Sequence, residues 1–83
     1  MDLRKLQIFT RVARLNSFSR AAEDLHMAQP AVSIAVRKLE ESLGITLLDR
    51  SGRQVRLTAE GEAVLARAEI ILRETEELLR TSD

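Results

Sequence analysis

Only three residues, His26-Met27-Ala28, separate two helical patterns in the stretch SFSRAAEDLHMAQPAVSIAVRKLEESLG, residues 17–44. Before the break, Ala21, Ala22 and Leu25 fall on one face; after it, Val32, Ala35, Val36, Leu39 and Leu43 do the same. A joint this short makes the two helices turn steeply against each other, and the alanines leave room for the crossing. The joint calls for a residue with positive φ, a place glycine usually fills, and here His26 holds it. Histidine is one of the few other types that enter this region, so backbone geometry explains the chain's single histidine better than a metal or proton-transfer role. Pro30 suits a helix's first turn, where its missing N–H costs nothing, and Gly44 suits the end of the same helix.

The flanking segments extend the pattern. Leu3, Leu6, Phe9, Val12 and Ala13 recur at helical steps, predicting an amphipathic helix that ends near Asn16, after which Ser17 or Ser19 caps the short second helix. The third helix is expected over roughly 29–43. From Ile45 to Leu57 the helical period is lost, and Ser51-Gly52 sits between two short runs that read as a hairpin. Thr58 then caps a long helix running toward Arg80, with Glu60 and Glu62 in its first turn, where negative charge suits the dipole. Val64, Leu65, Ala68, Ile71, Leu72, Thr75, Leu78 and Leu79 form its stripe. A chain of 83 residues has little core to cover so long a helix, so the stripe is expected to pair with a second copy. The organisation expected is a domain over 1–57 and a dimerisation helix over 58–83.

A formal net charge of zero conceals an asymmetry: residues 1–57 carry ten Lys and Arg against six acids, whereas residues 58–83 carry three against seven. The basic part can face a polyanion although the average is neutral. Cysteine is absent, which removes disulfides, thiolate metal sites and thiol nucleophiles and suits a reducing cytoplasm. No run of eighteen apolar residues marks a membrane span. Glu40-Glu41 and Glu76-Glu77 are helix neighbours whose side chains diverge, and no acid–base or metal constellation is visible, so neither a catalytic nor a metal site is expected.

If the second helix braces the third, the third presents Gln29, Pro30, Ser33, Ile34 and Arg37 outward. Gln can pair with adenine, Ser with several base edges, Pro and Ile with a thymine methyl, and Arg with guanine or phosphate, so these five are the candidate base contacts. Ser17, Ser19, Arg20, Lys38 and Arg50 are candidate contacts to the DNA backbone, and Arg53 at the hairpin tip is the candidate for a minor groove. Structural roles compete: Gln29 as a cap, Ser33 bonded back to its own helix, Arg37 paired with Glu41, and Arg50 paired with Asp49 or an acid on the long helix. The rival function is a protein-interaction module, with the helical domain as scaffold and the long helix for pairing.

Residues 6–61, LQIFTRVARLNSFSRAAEDLHMAQPAVSIAVRKLEESLGITLLDRSGRQVRLTAEG, resemble the amino-terminal DNA-binding domain of the LysR-type transcriptional regulators of bacteria. The "QPAVS" helix, the "KLEESLG" exit and the "VRLTAEG" end of the wing carry the likeness. It implies a mainly α fold: a winged helix-turn-helix with a three-helix core and a small β-hairpin wing, followed by a long dimerising linker helix. It also implies a homodimer on double-stranded DNA at an interrupted inverted repeat, and tetramers of full-length regulators. No cofactor is implied for this stretch; a small-molecule inducer belongs to a separate carboxy-terminal domain. Ile34-Ala35 departs from the frequent Arg-Gln pair, Ala28 from a Ser or Thr, and Leu48 from a common Phe.

Overall fold

The structure, a computed structural model, describes residues 1–81. Its elements in chain order are α1 (Leu3–Leu15), α2 (Phe18–Leu25), α3 (Gln29–Leu43), β1 (Leu48–Asp49), β2 (Arg56–Leu57) and α4 (Ala59–Thr81).

Each helix boundary has a local cause. Asp2 caps α1, its carboxylate accepting from the Lys5 amide at 2.8 Å, and Ser17 caps α2, its hydroxyl accepting from the Arg20 amide at 3.1 Å. Both helices end in a left-handed residue, Asn16 at φ 52° and His26 at φ 55°, and α3 ends in Gly44 at φ 72°. His26 thus has the backbone role expected of it, its N–H donating to the carbonyls of Ala22 and Glu23. Asn16 fills an equivalent position that the apolar pattern did not single out.

α1 lies at the centre, packed on α2, α3 and α4. Phe9 and Val12 from α1 meet Val32, Val36 and Leu39 from α3 and Leu47 from the segment after it, all with essentially no exposure. Burying each of these contributes about 2 kcal/mol, so the core rests mainly on two helix faces and one loop leucine. Ala21 and Ala22 are buried where α2 crosses, consistent with the need for small residues there.

The hairpin is minimal, two antiparallel residue pairs with Leu48 opposite Leu57 and Asp49 opposite Arg56. Side chains anchor its base. Glu40 of α3 accepts from the amides of Leu47 and Leu48 at 2.8 and 3.2 Å. Thr58 donates its hydroxyl to the Thr46 carbonyl at 2.6 Å while accepting from the Gly61 amide at 2.9 Å, joining the hairpin to the first turn of α4. Gly61 is buried against this junction, where a Cβ would collide with the Leu47 carbonyl.

The stripe on α4 has two environments within the chain. Ala68 is 1% exposed within the chain's own core, and Val64, Leu65 and Leu72 pack against that core. α1 reaches farther along α4 than the size of the chain suggested, so Ala68 is covered within the chain and Val64, Leu65 and Leu72 are partly covered. Ile71, Leu78 and Leu79 remain exposed, Leu78 at 67% and Leu79 at 63%, and Ile70, absent from the expected stripe, joins them at 50%. Thr75 donates to the Ile71 carbonyl at 2.8 Å. Through Ala68, α4 contributes to the same core as α1 and α3.

Candidate nucleic-acid interface

The outward face of α3 is set by the inward one. With Val32, Val36 and Leu39 buried, Gln29, Pro30, Ile34, Arg37 and Lys38 are exposed and Ser33 is half-buried at the edge. Ile34 is 54% exposed, an apolar side chain between polar neighbours. Ala28, not Gln29, is the N-cap of α3, and it makes no side-chain bond, so the amide of Gln29 is not spent on capping. Arg37 has no ion pair among the described residues, and so does not pair with Glu41.

α2 presents its first turn beside this face. Ser19 and Arg20 are exposed, while Ser17 is half-buried and already occupied, capping the helix and lying 3.1 Å from the Ser19 hydroxyl. Arg53 is exposed at the hairpin tip, in a turn where Asp49 accepts from both the amide and the hydroxyl of Ser51, at 3.0 and 2.7 Å. These two bonds, hydroxyl first, hold the Asp49 carboxyl below its ordinary range.

Arg50, a candidate contact to the DNA backbone, is also engaged within the chain. Its guanidinium stacks 4.6 Å over the Phe18 ring, donates to the Ser33 hydroxyl at 3.3 Å, and stands 3.6 Å from Glu40. The side chains of Arg50 and Glu40 are only 24% and 16% exposed. Burial lowers the Arg50 pKa and the neighbouring Arg37 adds to that, against the opposing pull of Glu40. Its acidic partner is thus on α3, neither Asp49 nor the long helix. A contact spanning seventeen positions, Ser33 to Arg50, leaves no mark in a local pattern.

Lys5 pairs with Asp2, Arg11 with Asp24, Arg14 with Glu69 and Arg80 with Glu77, whereas Arg4, Arg20, Arg37, Lys38, Arg53, Arg56, Arg67 and Arg73 have no such partner among the described residues. Within residues 1–57 most of the uncompensated charge therefore lies on α2, α3 and the hairpin, with Arg4 on α1 the exception. Among the described residues no group of three His, Cys, Asp or Glu could hold a metal ion, and no helix is long and apolar enough to cross a membrane.

A family model for the bacterial regulatory helix-turn-helix protein of the lysR family matches residues 3–62. The chain belongs to the LysR family. Among its relatives, the RuBisCO operon transcriptional regulator of Allochromatium vinosum is 49% identical, over 98% of this chain and 28% of its own length. The regulator CrgA of Neisseria meningitidis serogroup B is 51% identical over 84% of this chain and 23% of its own. The chain thus spans about a quarter of the length of such relatives.

Solved structures agree with the fold of this LysR-family domain. A BenM DNA-binding domain in complex with catB site 1 DNA superposes with a TM-score of 0.96 at 38% identity, covering 99% of this chain and 91% of that one. Full-length CbnR in complex with its target DNA gives 0.93 at 38% identity, covering 99% of this chain and 28% of that one. The winged helix-turn-helix and the long helix after it are accordingly the family's architecture, the one expected from the sequence.

Proposed function

We propose that this chain is the DNA-reading part of a bacterial transcriptional regulator, binding double-stranded DNA sequence-specifically as a homodimer at an interrupted inverted repeat. The observation that carries the reading is where the cations without an acid partner lie in residues 1–57: of the six among the described residues, Arg20, Arg37, Lys38, Arg53 and Arg56 are on α2, α3 and the hairpin, and Arg4 alone is on α1. A major groove admits α3 with Gln29, Pro30, Ser33, Ile34 and Arg37 at base edges. Ser19, Arg20 and Lys38 meet phosphates, which fix register without reading sequence. Arg53 enters the adjacent minor groove, where the potential is most negative. Ile34 stands where the family often has arginine, so a thymine methyl is its natural partner.

Two copies joined through Ile70, Ile71, Leu78 and Leu79 place two α3 helices on one side of the duplex, with half-sites about 34 Å apart or a wider multiple of a helical turn. The function is binding without chemistry and is exercised in the cytoplasm. Small-molecule sensing and tetramer formation belong to the rest of the regulator.

Selection of bound duplexes from a random DNA library at two salt concentrations tests the reading. The expected result is an interrupted inverted repeat that persists at the higher salt. A pool that stays random, with binding lost as salt rises, leaves phosphate attraction alone and favours the protein-interaction module.

A further inference from the structure

Ser33 sits at the edge of the reading face with its hydrogen bonding half decided. A hydroxyl has one donor hydrogen and two acceptor lone pairs, whereas a guanidinium only donates. Ser33 must therefore accept in its 3.3 Å bond from Arg50 Nη1. The usual outlet for a hydroxyl hydrogen on a helix is the carbonyl one turn back, used here by Thr75 and Thr81, each donating at 2.8 Å to a carbonyl four residues earlier. Ser33 makes no such bond among the described residues, so its hydrogen stays unspent on a half-buried atom beside exposed Gln29, Ile34 and Arg37.

Arg50 is held firmly enough to impose this polarity. It lies against the Phe18 ring and within 3.6 Å of Glu40, whose other oxygen is fixed by the Leu47 and Leu48 amides. The same guanidinium thus ties the hairpin base to α3 and faces Ser33 with a donor.

Resting on the DNA-binding reading above, we infer that Arg50 is a specificity-determining positioning residue: it occupies one of the two acceptor lone pairs of Ser33 and turns the hydroxyl hydrogen away from itself, so that Ser33 is biased toward addressing DNA as a donor. The bases that suit a donor are guanine and adenine through N7 and thymine through O4; cytosine offers its major-groove edge an amino donor and is disfavoured. Remove Arg50, and both lone pairs of Ser33 are open, so that accepting from the cytosine amino group is no longer disfavoured.

The experiment is selection of bound duplexes from a random library by the parent chain, Arg50→Met, Ser33→Ala and the double variant, each first checked for helicity and melting. At one half-site position the parent is expected to exclude cytosine by about fivefold, the order of one weak mismatch. In Arg50→Met that exclusion falls toward unity at this position, with preferences opposite Gln29 and Ile34 retained. Ser33→Ala loses the preference there, and adding Arg50→Met then changes it no further. Where Arg50→Met melts below the assay temperature, Arg50→Lys replaces it, since a single ammonium satisfying Glu40 releases Ser33 and relaxes the same position. An unchanged base profile in a folded Arg50 variant overturns the inference, leaving Arg50 as a strut only. A random pool from the parent itself overturns the DNA-reading function and the inference together.

Discussion

Arg14 and Arg37 are both exposed arginines on helices that pack against each other, yet they stand in opposite electrostatic settings. Arg14 on α1 is joined to Glu69 of α4, while Arg37 on α3 has no acid partner among the described residues. The same contrast separates Arg11, paired with Asp24, from Arg20, Lys38 and Arg53. A cation already paired gains little from a phosphate, because it must give up one anion to meet another; an unpaired, hydrated one has only water and counterions to release. Net charge hides this. A chain with thirteen basic and thirteen acidic residues can still present a face where most cations have no acid partner among the described residues.

The strongest break in the comparison is at Arg37. Arg37→Ala is expected to weaken specific duplex binding by about 1–3 kcal/mol, or roughly ten- to a hundredfold, while leaving the melting temperature nearly unchanged, because the side chain is exposed and supports no packing. Fluorescence anisotropy titration of a selected duplex measures it. An affinity equal to the parent's removes Arg37 from the interface and leaves its freedom from ion pairs without consequence.

Arg53→Ala comes next. A single minor-groove arginine within the six-residue turn between β1 and β2 contributes less than one on a rigid helix, since more of its freedom is lost on binding. The affinity is expected to drop about three- to tenfold, and the slope of log affinity against log salt to shrink by about one unit. A loss of affinity with an unaltered slope shows Arg53 acting through the shape of the hairpin instead of through its charge.

Arg14→Ala probes the other side of the comparison. An exposed ion pair is worth about 0.2–1 kcal/mol, so folding stability is expected to fall by no more than that and DNA affinity to hold within about twofold. Denaturant melts and the same anisotropy titration measure the two quantities. A larger loss of DNA binding than for Arg53→Ala would dissolve the distinction between paired and unpaired cations.

Much of this architecture is legible in the sequence because its signals are local. The joint at His26, the stop at Gly44, the cap at Thr58 and the span of α3 each follow from residues within a turn of one another. What escaped is non-local. An apolar stripe on α4 says that something covers it; only the reach of α1 decides that Ala68 and Leu72 are covered from within while Ile71 and Leu78 are left outside. Arg50 looks like any wing cation until the chain folds it over Phe18 and against Ser33. The outward face of α3 was readable for the opposite reason: a helix with one buried face leaves its other face determined by arithmetic.

Asp49 raises the smallest effect and the one that explains why the wing stays basic. It is the acid nearest Arg53 in sequence, and across the hairpin it stands opposite Arg56, yet its carboxylate is engaged by the hydroxyl and amide of Ser51. Those bonds keep its folded pKa below the ordinary value of 3.8, so their contribution is fully present above that value and is lost as the pH falls through the folded pKa. The Ser51 amide resonance is expected to hold its position from neutral pH down to mild acid and to move only below pH 3.8, whereas Asp49→Ala shifts it already at neutral pH. Because the group is solvent-exposed, the hairpin is expected to loosen locally without unfolding the three-helix core. Movement of the Ser51 resonance at higher pH would mean that Asp49 is free in solution. It would then be available to pair with Arg53 or Arg56, and the wing would belong with the neutralised surface.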